Sequence, residues 1–124
     1  MQVSIVTLFP EMFKALSESG ISSRAIDKDL LSLSTVNPRD YTVDRHKSVD
    51  DRPYGGGPGM VMTVPPLTSA IHAAKASMNG DASDDAVKVV YMSPQGKCLD
   101  QAMMNRLSQC QKLVILCGRY EGID

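Results

Sequence analysis

Four strand-length runs, separated by stretches long enough for helices, constrain this 124-residue sequence most. Val3 to Phe9, Val87 to Met92 and Leu113 to Cys117 are apolar and rich in β-branched residues, and in a fourth run Leu31, Leu33 and Thr35 alternate with serines before Val36. Short, nearly continuous apolar runs suit strands covered on both faces, and such strands belong to parallel sheets with helices on either side. The stretches between them carry helical signals. Pro10 suits a first helical turn, Met12, Phe13 and Leu16 follow at helical spacing, and Gly20 is a stop. Ser22 or Ser23 suits the cap of a second short helix through Lys28. Pro65 and Pro66 restart a helix with Leu67, Ala70, Ile71 and Ala74 on one face. Another begins at Asp100, with Leu99, Met103 and Leu107 along one side. The order is β-α-β-α-β-α-β, with connections long enough for right-handed crossovers. The sequence therefore predicts one α/β domain built on an open parallel sheet with helices on both faces.

Two segments resist assignment. Tyr41 to Met60 has no usable periodicity, follows the turn Asn37-Pro38-Arg39-Asp40, and is charged first and then rich in Gly and Pro. Long structureless loops inside compact domains are usually functional or disordered. Asn79 to Asp85 reads as an acidic connector and a mobile tip.

Composition excludes some functions. The net charge is −1, so any contact with nucleic acid uses a local patch rather than a whole-molecule field. With no Trp, two Phe and four Tyr, a platform that stacks a run of bases is poorly supplied. Cys98, Cys110 and Cys117 form no CxxC motif and read as reduced thiols, and His46 and His72 lack metal-ligand spacing. No segment reads as a signal peptide or a transmembrane helix, which makes the cytoplasm the default location.

In open α/β sheets, ligands bind outside the carboxyl ends of the strands. Three of the four strand exits carry unusual residues: Phe9-Pro10-Glu11, Ser93-Pro94-Gln95-Gly96 and Gly118-Arg119-Tyr120-Glu121-Gly122. The last two strands are expected to be neighbours, so their loops would face each other. Gly96, Gly118 and Gly122 let backbone amides come near a ligand. Glu121 could meet a sulfonium, an amino group, a ring N–H or a magnesium ion, and Tyr120 could pack on an adenine face. Either loop alone also reads as an ordinary strand-to-helix turn. The run Gly55-Gly56-Gly57-Pro58-Gly59 is neither a P-loop nor a GxGxxG fingerprint, because no GK[ST] follows and no strand leads into it. It permits close approach to something bulky, or is a linker. Between Arg39 and Arg52, four cationic residues balance four aspartates around His46, a mixture suited to hydrogen-bonding a base beside phosphates, or to a solvated loop.

Five segments together resemble the bacterial tRNA (guanine-N1)-methyltransferase family. They are Thr7 to Phe13, Asn37 to Asp40, Val49 to Met60, Tyr91 to Gly96 and Cys117 to Asp124, in family order along the whole chain, and the run from Asp50 to Gly59 is the most specific. The resemblance implies a trefoil-knot methyltransferase fold, a homodimer, tRNA as partner, and S-adenosylmethionine and Mg2+ as cofactors. It implies that Tyr91, Met92, Ser93, Pro94, Gln95 and Gly96 form one wall of the methyl-donor pocket. Gly118, Tyr120 and Glu121 form another, with Glu121 also the candidate for the metal. His46, Asp50, Arg52, Pro58 and Gly59 would place the tRNA or its target guanine, and Arg119 would contact nucleic acid. Against the family pattern, residues 1–124 read as a truncated amino-terminal donor-binding domain. The remainder of the knot, the general-base aspartate and the carboxy-terminal tRNA-binding domain are expected beyond Asp124, so the chain itself is expected to be inactive. Two other readings stand beside this one: a donor-binding module without catalysis, and an unrelated nucleotide-binding α/β domain.

Overall fold

The computed structural model describes residues 1–78 and 86–124, and the acidic connector expected over Asn79 to Asp85 lies outside them. In chain order the elements are β1 (Gln2–Val6), a 3-10 turn (Pro10–Phe13), α1 (Lys14–Glu18), α2 (Gly20–Asp27), β2 (Ser32–Val36) and a second 3-10 turn (Pro38–Tyr41). Then come β3 (Asp50–Asp51), β4 (Val61–Met62), α3 (Val64–Ala76), β5 (Val87–Met92), α4 (Gln101–Ser108) and β6 (Lys112–Cys117). Four strands form one sheet in the order β2-β1-β6-β5, and every pairing in it is parallel. The predicted open α/β sheet is therefore present, and β5 and β6 are neighbours as expected.

Strand alternation sorts the apolar residues onto two faces. Val6, Val114 and Leu116 pack with Leu67, Ala70 and Ala74 of α3. Val3, Ile5 and Leu113 point the other way, with Phe13 and Leu107 packed against them. The helix α3 starts as its prolines dictate: they stand in the first turn, where backbone N–H groups have no intrahelical partner. In α4, the Asp100 side chain accepts the Met103 N–H at 2.8 Å, a standard N-cap.

Two local expectations need correction. The cap of α2 is Ser19, not Ser22 or Ser23, and its side chain makes no capping bond. The Ser19 hydroxyl instead donates back to the Ala15 carbonyl at 3.0 Å. Gly20 ends α1 as expected, at φ +76°, but it is also the first residue of α2. The stretch after Tyr41 is not wholly structureless either. Its two-residue strands β3 and β4 pair antiparallel. They are fastened to the α3 face by Val49 and Met62, each 1% exposed.

Candidate functional site

Met92 at the end of β5 lies opposite Cys117 at the end of β6, so the loops that follow leave the sheet side by side. The first is a tight turn: the Gly96 N–H donates to the Ser93 carbonyl at 3.1 Å, and the Gln95 N–H donates to the Ser93 hydroxyl at 3.2 Å. The second starts at Gly118, whose backbone lies under the Tyr91 ring. A Cβ placed on Gly118 would stand 3.0 Å from Tyr91 Cε2 and 3.2 Å from its hydroxyl oxygen. The close approach that this glycine permits is thus made by Tyr91 of the neighbouring strand β5.

The residues expected to hold a ligand line two cavities. One, of about 870 Å³, lies on the α4 side and takes in Tyr91, Met92, Ser93, Pro94 and Gly96 together with Met103 and Leu107. The other, of about 340 Å³, is lined by Phe9, Gly118, Arg119 and Tyr120. Gln95 and Glu121 line neither.

Glu121 is tied to the Gly-rich run instead. The Glu121 N–H donates to the Met60 carbonyl at 3.0 Å, the Met62 N–H to the Gly122 carbonyl at 2.8 Å, and the Asp124 N–H to the Met62 carbonyl at 2.9 Å. This short ladder sets Gly59 directly against the Glu121 side chain. A Cβ on Gly59 would come within 2.8 Å of Glu121 Oε1, and Gly59 has φ +85°, where a side chain is disfavoured in any case. The bulky neighbour that the glycines admit is therefore Glu121, at Gly59 alone. Gly55, Gly56 and Gly57 have nothing near their Cβ positions. Tyr120, just before Glu121, holds φ +61° without being glycine, a left-handed conformation that Asp29 and Lys47 also adopt.

Phe9 is the contributor that sequence reasoning missed, although its strand exit stood out. Its N–H donates to the Thr7 hydroxyl at 3.1 Å, and the Arg119 guanidinium lies over its ring, 4.5 Å from the centroid. The Arg119 N–H donates to the Met62 sulfur at 3.3 Å, so Arg119 is fixed at backbone and at head group. Of the residues expected to place RNA, His46, Arg52 and Pro58 are exposed and Asp50 sits half-buried in β3. The loop around them is self-bonded. Arg39 Nη1 donates to the Lys47 carbonyl at 3.1 Å, and the Ser48 N–H donates to both Asp44 oxygens, at 3.0 and 3.1 Å. Hydrogen bonding from the Ser48 side chain, and then from its backbone, holds the Asp44 carboxyl below its ordinary value. Burial pushes the Cys117 thiol up. Among the described residues no three His, Cys, Asp or Glu side chains gather as a metal site, and no described helix is long and apolar enough to cross a membrane.

The parallel sheet with helices on its faces defines a domain of the open α/β class, whose members bind ligands at the carboxyl ends of their strands. The particular family follows from comparison. The description tRNA (Guanine-1)-methyltransferase TrmD matches residues 1–124, and the chain belongs to that family. Proteins named tRNA (guanine-N(1)-)-methyltransferase from Mannheimia succiniciproducens and Pasteurella multocida are 57% and 58% identical to it over the whole chain. The chain spans about half the length of these curated relatives, 47% and 49% respectively. The crystal structure of tRNA (m1G37) methyltransferase from Aquifex aeolicus superposes with a TM-score of 0.82 at 32% identity, over 100% of this chain and 53% of that one.

Proposed function

We propose that this chain is the S-adenosylmethionine-binding α/β part of an enzyme that methylates N1 of the guanine 3′ to the tRNA anticodon. The observation that carries the reading is the side-by-side exit of the Ser93–Gly96 and Gly118–Gly122 loops from adjacent parallel strands. Family membership supplies the reaction class.

The residues present fit the donor. Tyr91, Met92, Pro94 and Gly96 offer an apolar wall with the Ser93 turn at its rim, and Gly118 lies against the Tyr91 ring and lines the neighbouring cavity. When bound, S-adenosylmethionine supplies a methyl group activated by a sulfonium. This chain's task is to hold that group still, shield it from water and align it with the guanine. Tyr120 would cover one side of the ligand, and Glu121 would place a carboxylate near its cationic centre. Guanine N1 must lose its proton as it is methylated, which calls for a general base. No residue among 1–124 is assigned that role.

His46, Asp50, Arg52, Pro58 and Arg119 are proposed to place the RNA, and Gly59 to act on the site through Glu121. A magnesium ion would find Glu121 as its protein carboxylate here. The described residues assemble no fuller ligand set, so no step of this reading runs through a metal. The enzyme is proposed to work as a homodimer in the cytoplasm.

Calorimetry with S-adenosylmethionine tests the binding half of the reading. Mass spectrometry for 1-methylguanine in a tRNA transcript tests the transfer half, using the protein at the length of its relatives. Donor binding that S-adenosylhomocysteine competes away, together with 1-methylguanine formation, is the expected result. Preference for ATP or NAD over the donor would overturn it, and donor binding without transfer would reduce the chain to a binding module.

A further inference from the structure

The loop that leaves β6 is held at both ends by one residue of β4. The Met62 N–H donates to the Gly122 carbonyl at 2.8 Å and the Met62 carbonyl accepts the Asp124 N–H at 2.9 Å, while the Met62 sulfur accepts the Arg119 N–H at 3.3 Å. The sulfur contact joins residues 57 positions apart in sequence. Met62 is 1% exposed, belongs to the α3-side core with Val49, Leu67 and Val114, and lines neither cavity. It is itself fixed in place. It lies opposite Asp50 in the β3–β4 pair, and the next residue, Thr63, donates its N–H to the Val49 carbonyl at 2.9 Å.

The main-chain bonds need no particular side chain at position 62, but the sulfur bond does. Arg119 lies beyond the last pair of β5 and β6, Met92 opposite Cys117, so no strand is there to accept its N–H. Leu or Ile would fill the same core space, yet among the large aliphatic side chains only Met carries an acceptor. The position of the bond matters as much. Tyr120 follows directly, in a left-handed backbone at φ +61° that side chains disfavour. The residue before it is tied by the Met62 sulfur, and the residue after it, Glu121, donates its N–H to the Met60 carbonyl at 3.0 Å. Both ties come from the stretch Met60 to Met62, and together they brace the turn that presents Tyr120 and Glu121.

We propose that Met62 is a positioning residue for methyl transfer, whose sulfur holds the Arg119 amide and so sets Tyr120 and Glu121 for the methyl donor. It acts through the loop and not by contact with the donor. This rests on the methyltransferase reading for the identity of the ligand.

The test uses the protein at the length of its relatives and follows amide hydrogen exchange, thermal unfolding and methylation kinetics on a tRNA transcript. Met62→Leu keeps the bulk and removes the acceptor. Such swaps are well tolerated in cores, so the thermal midpoint should move by no more than about 4 °C. Exchange of the Arg119 amide should quicken about fivefold, the weight of one hydrogen bond, while the Glu121 and Asp124 amides, held by main-chain carbonyls, keep their rates. A merely structural loss would speed all three together. Because the braced turn holds the donor in ground and transition states alike, the KM for S-adenosylmethionine should rise about fivefold with kcat within about twofold. Met62→Gln restores an acceptor of similar reach but buries an amide. It should lower the thermal midpoint and yet return the Arg119 exchange rate and the donor KM towards wild type. A donor KM unchanged in Met62→Leu would overturn the proposal, and so would an Arg119 amide that exchanges as freely as an unbonded one in the wild type. A donor KM as high in Met62→Gln as in Met62→Leu would make the effect one of packing and overturn it too. A wild type that neither binds the donor nor methylates tRNA would instead sink the methyltransferase reading.

Discussion

The two faces of the sheet are built differently. The α3 face is closed: Val6, Met62, Ala70, Ala74 and Val114 are at most 1% exposed, and Leu67 and Leu116 seal the edges. The α4 face is open. No residue of α4 is buried, and a cavity of about 870 Å³ lies along its inner side, Met103 and Leu107 included. The amphipathic stripe of α4 is only half-buried, with Leu107 against the sheet and both Met103 and Leu107 bordering the cavity, while that of α3 is sealed against the sheet. The difference teaches where stability and where binding reside. The closed face fastens the 41–62 loop through Val49 and Met62, and the open face presents the Tyr91–Gly96 wall.

The largest expected effect separates the two faces outright. Met62→Ala should lower unfolding free energy by about 2–5 kcal/mol, because a fully buried side chain leaves a cavity and frees the hairpin. Leu107→Ala on the open face should cost less, about 1–2 kcal/mol, since its half-buried side chain packs against Val3, Ile5 and Leu113 on one side and borders the cavity on the other. Urea denaturation of both variants decides it, and equal costs would erase the contrast.

Next comes the glycine run. Gly55→Ala meets open space and pays only for its left-handed backbone, roughly 1–2 kcal/mol. Gly59→Ala meets the Glu121 side chain as well, so it should cost more in stability and shift the carboxylate. In a double-mutant cycle, Glu121→Ala should remove the excess and leave the two glycine variants alike. An excess that persists without the Glu121 side chain would show that the loop is strained for another reason.

A smaller effect of opposite sign is expected on the closed face. Ser4 is fully buried in β1, and its hydroxyl has no hydrogen-bond partner. Ser4→Ala should therefore stabilise the protein by about 1 kcal/mol, read from the same denaturation curves. The smallest effect is kinetic. Cys98 is exposed, whereas Cys117 is half-buried with its thiol pushed up by desolvation. Since the thiolate is the reactive form, iodoacetamide at pH 8 should label Cys98 well before Cys117, and raising the pH further should narrow the gap. Mass spectrometry of the timed digests gives the order.

The sheet was legible because its strands are runs of local sequence. Val87–Met92 was bounded to the residue, and Val3, Ile5 and Val6 form β1 as expected. The β5–β6 neighbourhood followed from general chain topology. What escaped was long-range or too short for periodicity. Two-residue strands such as Asp50–Asp51 and Val61–Met62 carry no repeat to detect. Gly59 announced a close approach but could not name Glu121, which the fold brings to it from the other end of the chain. The Phe9–Arg119 pair is the same kind of case. The α4 stripe was legible in part: Met103 and Leu107 form its half-buried side, with Leu107 against the sheet, while Leu99 before the helix stays exposed.

The direct measurement is a backbone-amide NMR titration of the isotopically labelled protein with S-adenosylmethionine. Concerted shifts confined to the turn after β5 and the turn after β6, saturating at one shared affinity, are what the account predicts. Shifts in one turn with silence in the other, or saturation at two unrelated affinities, would contradict it.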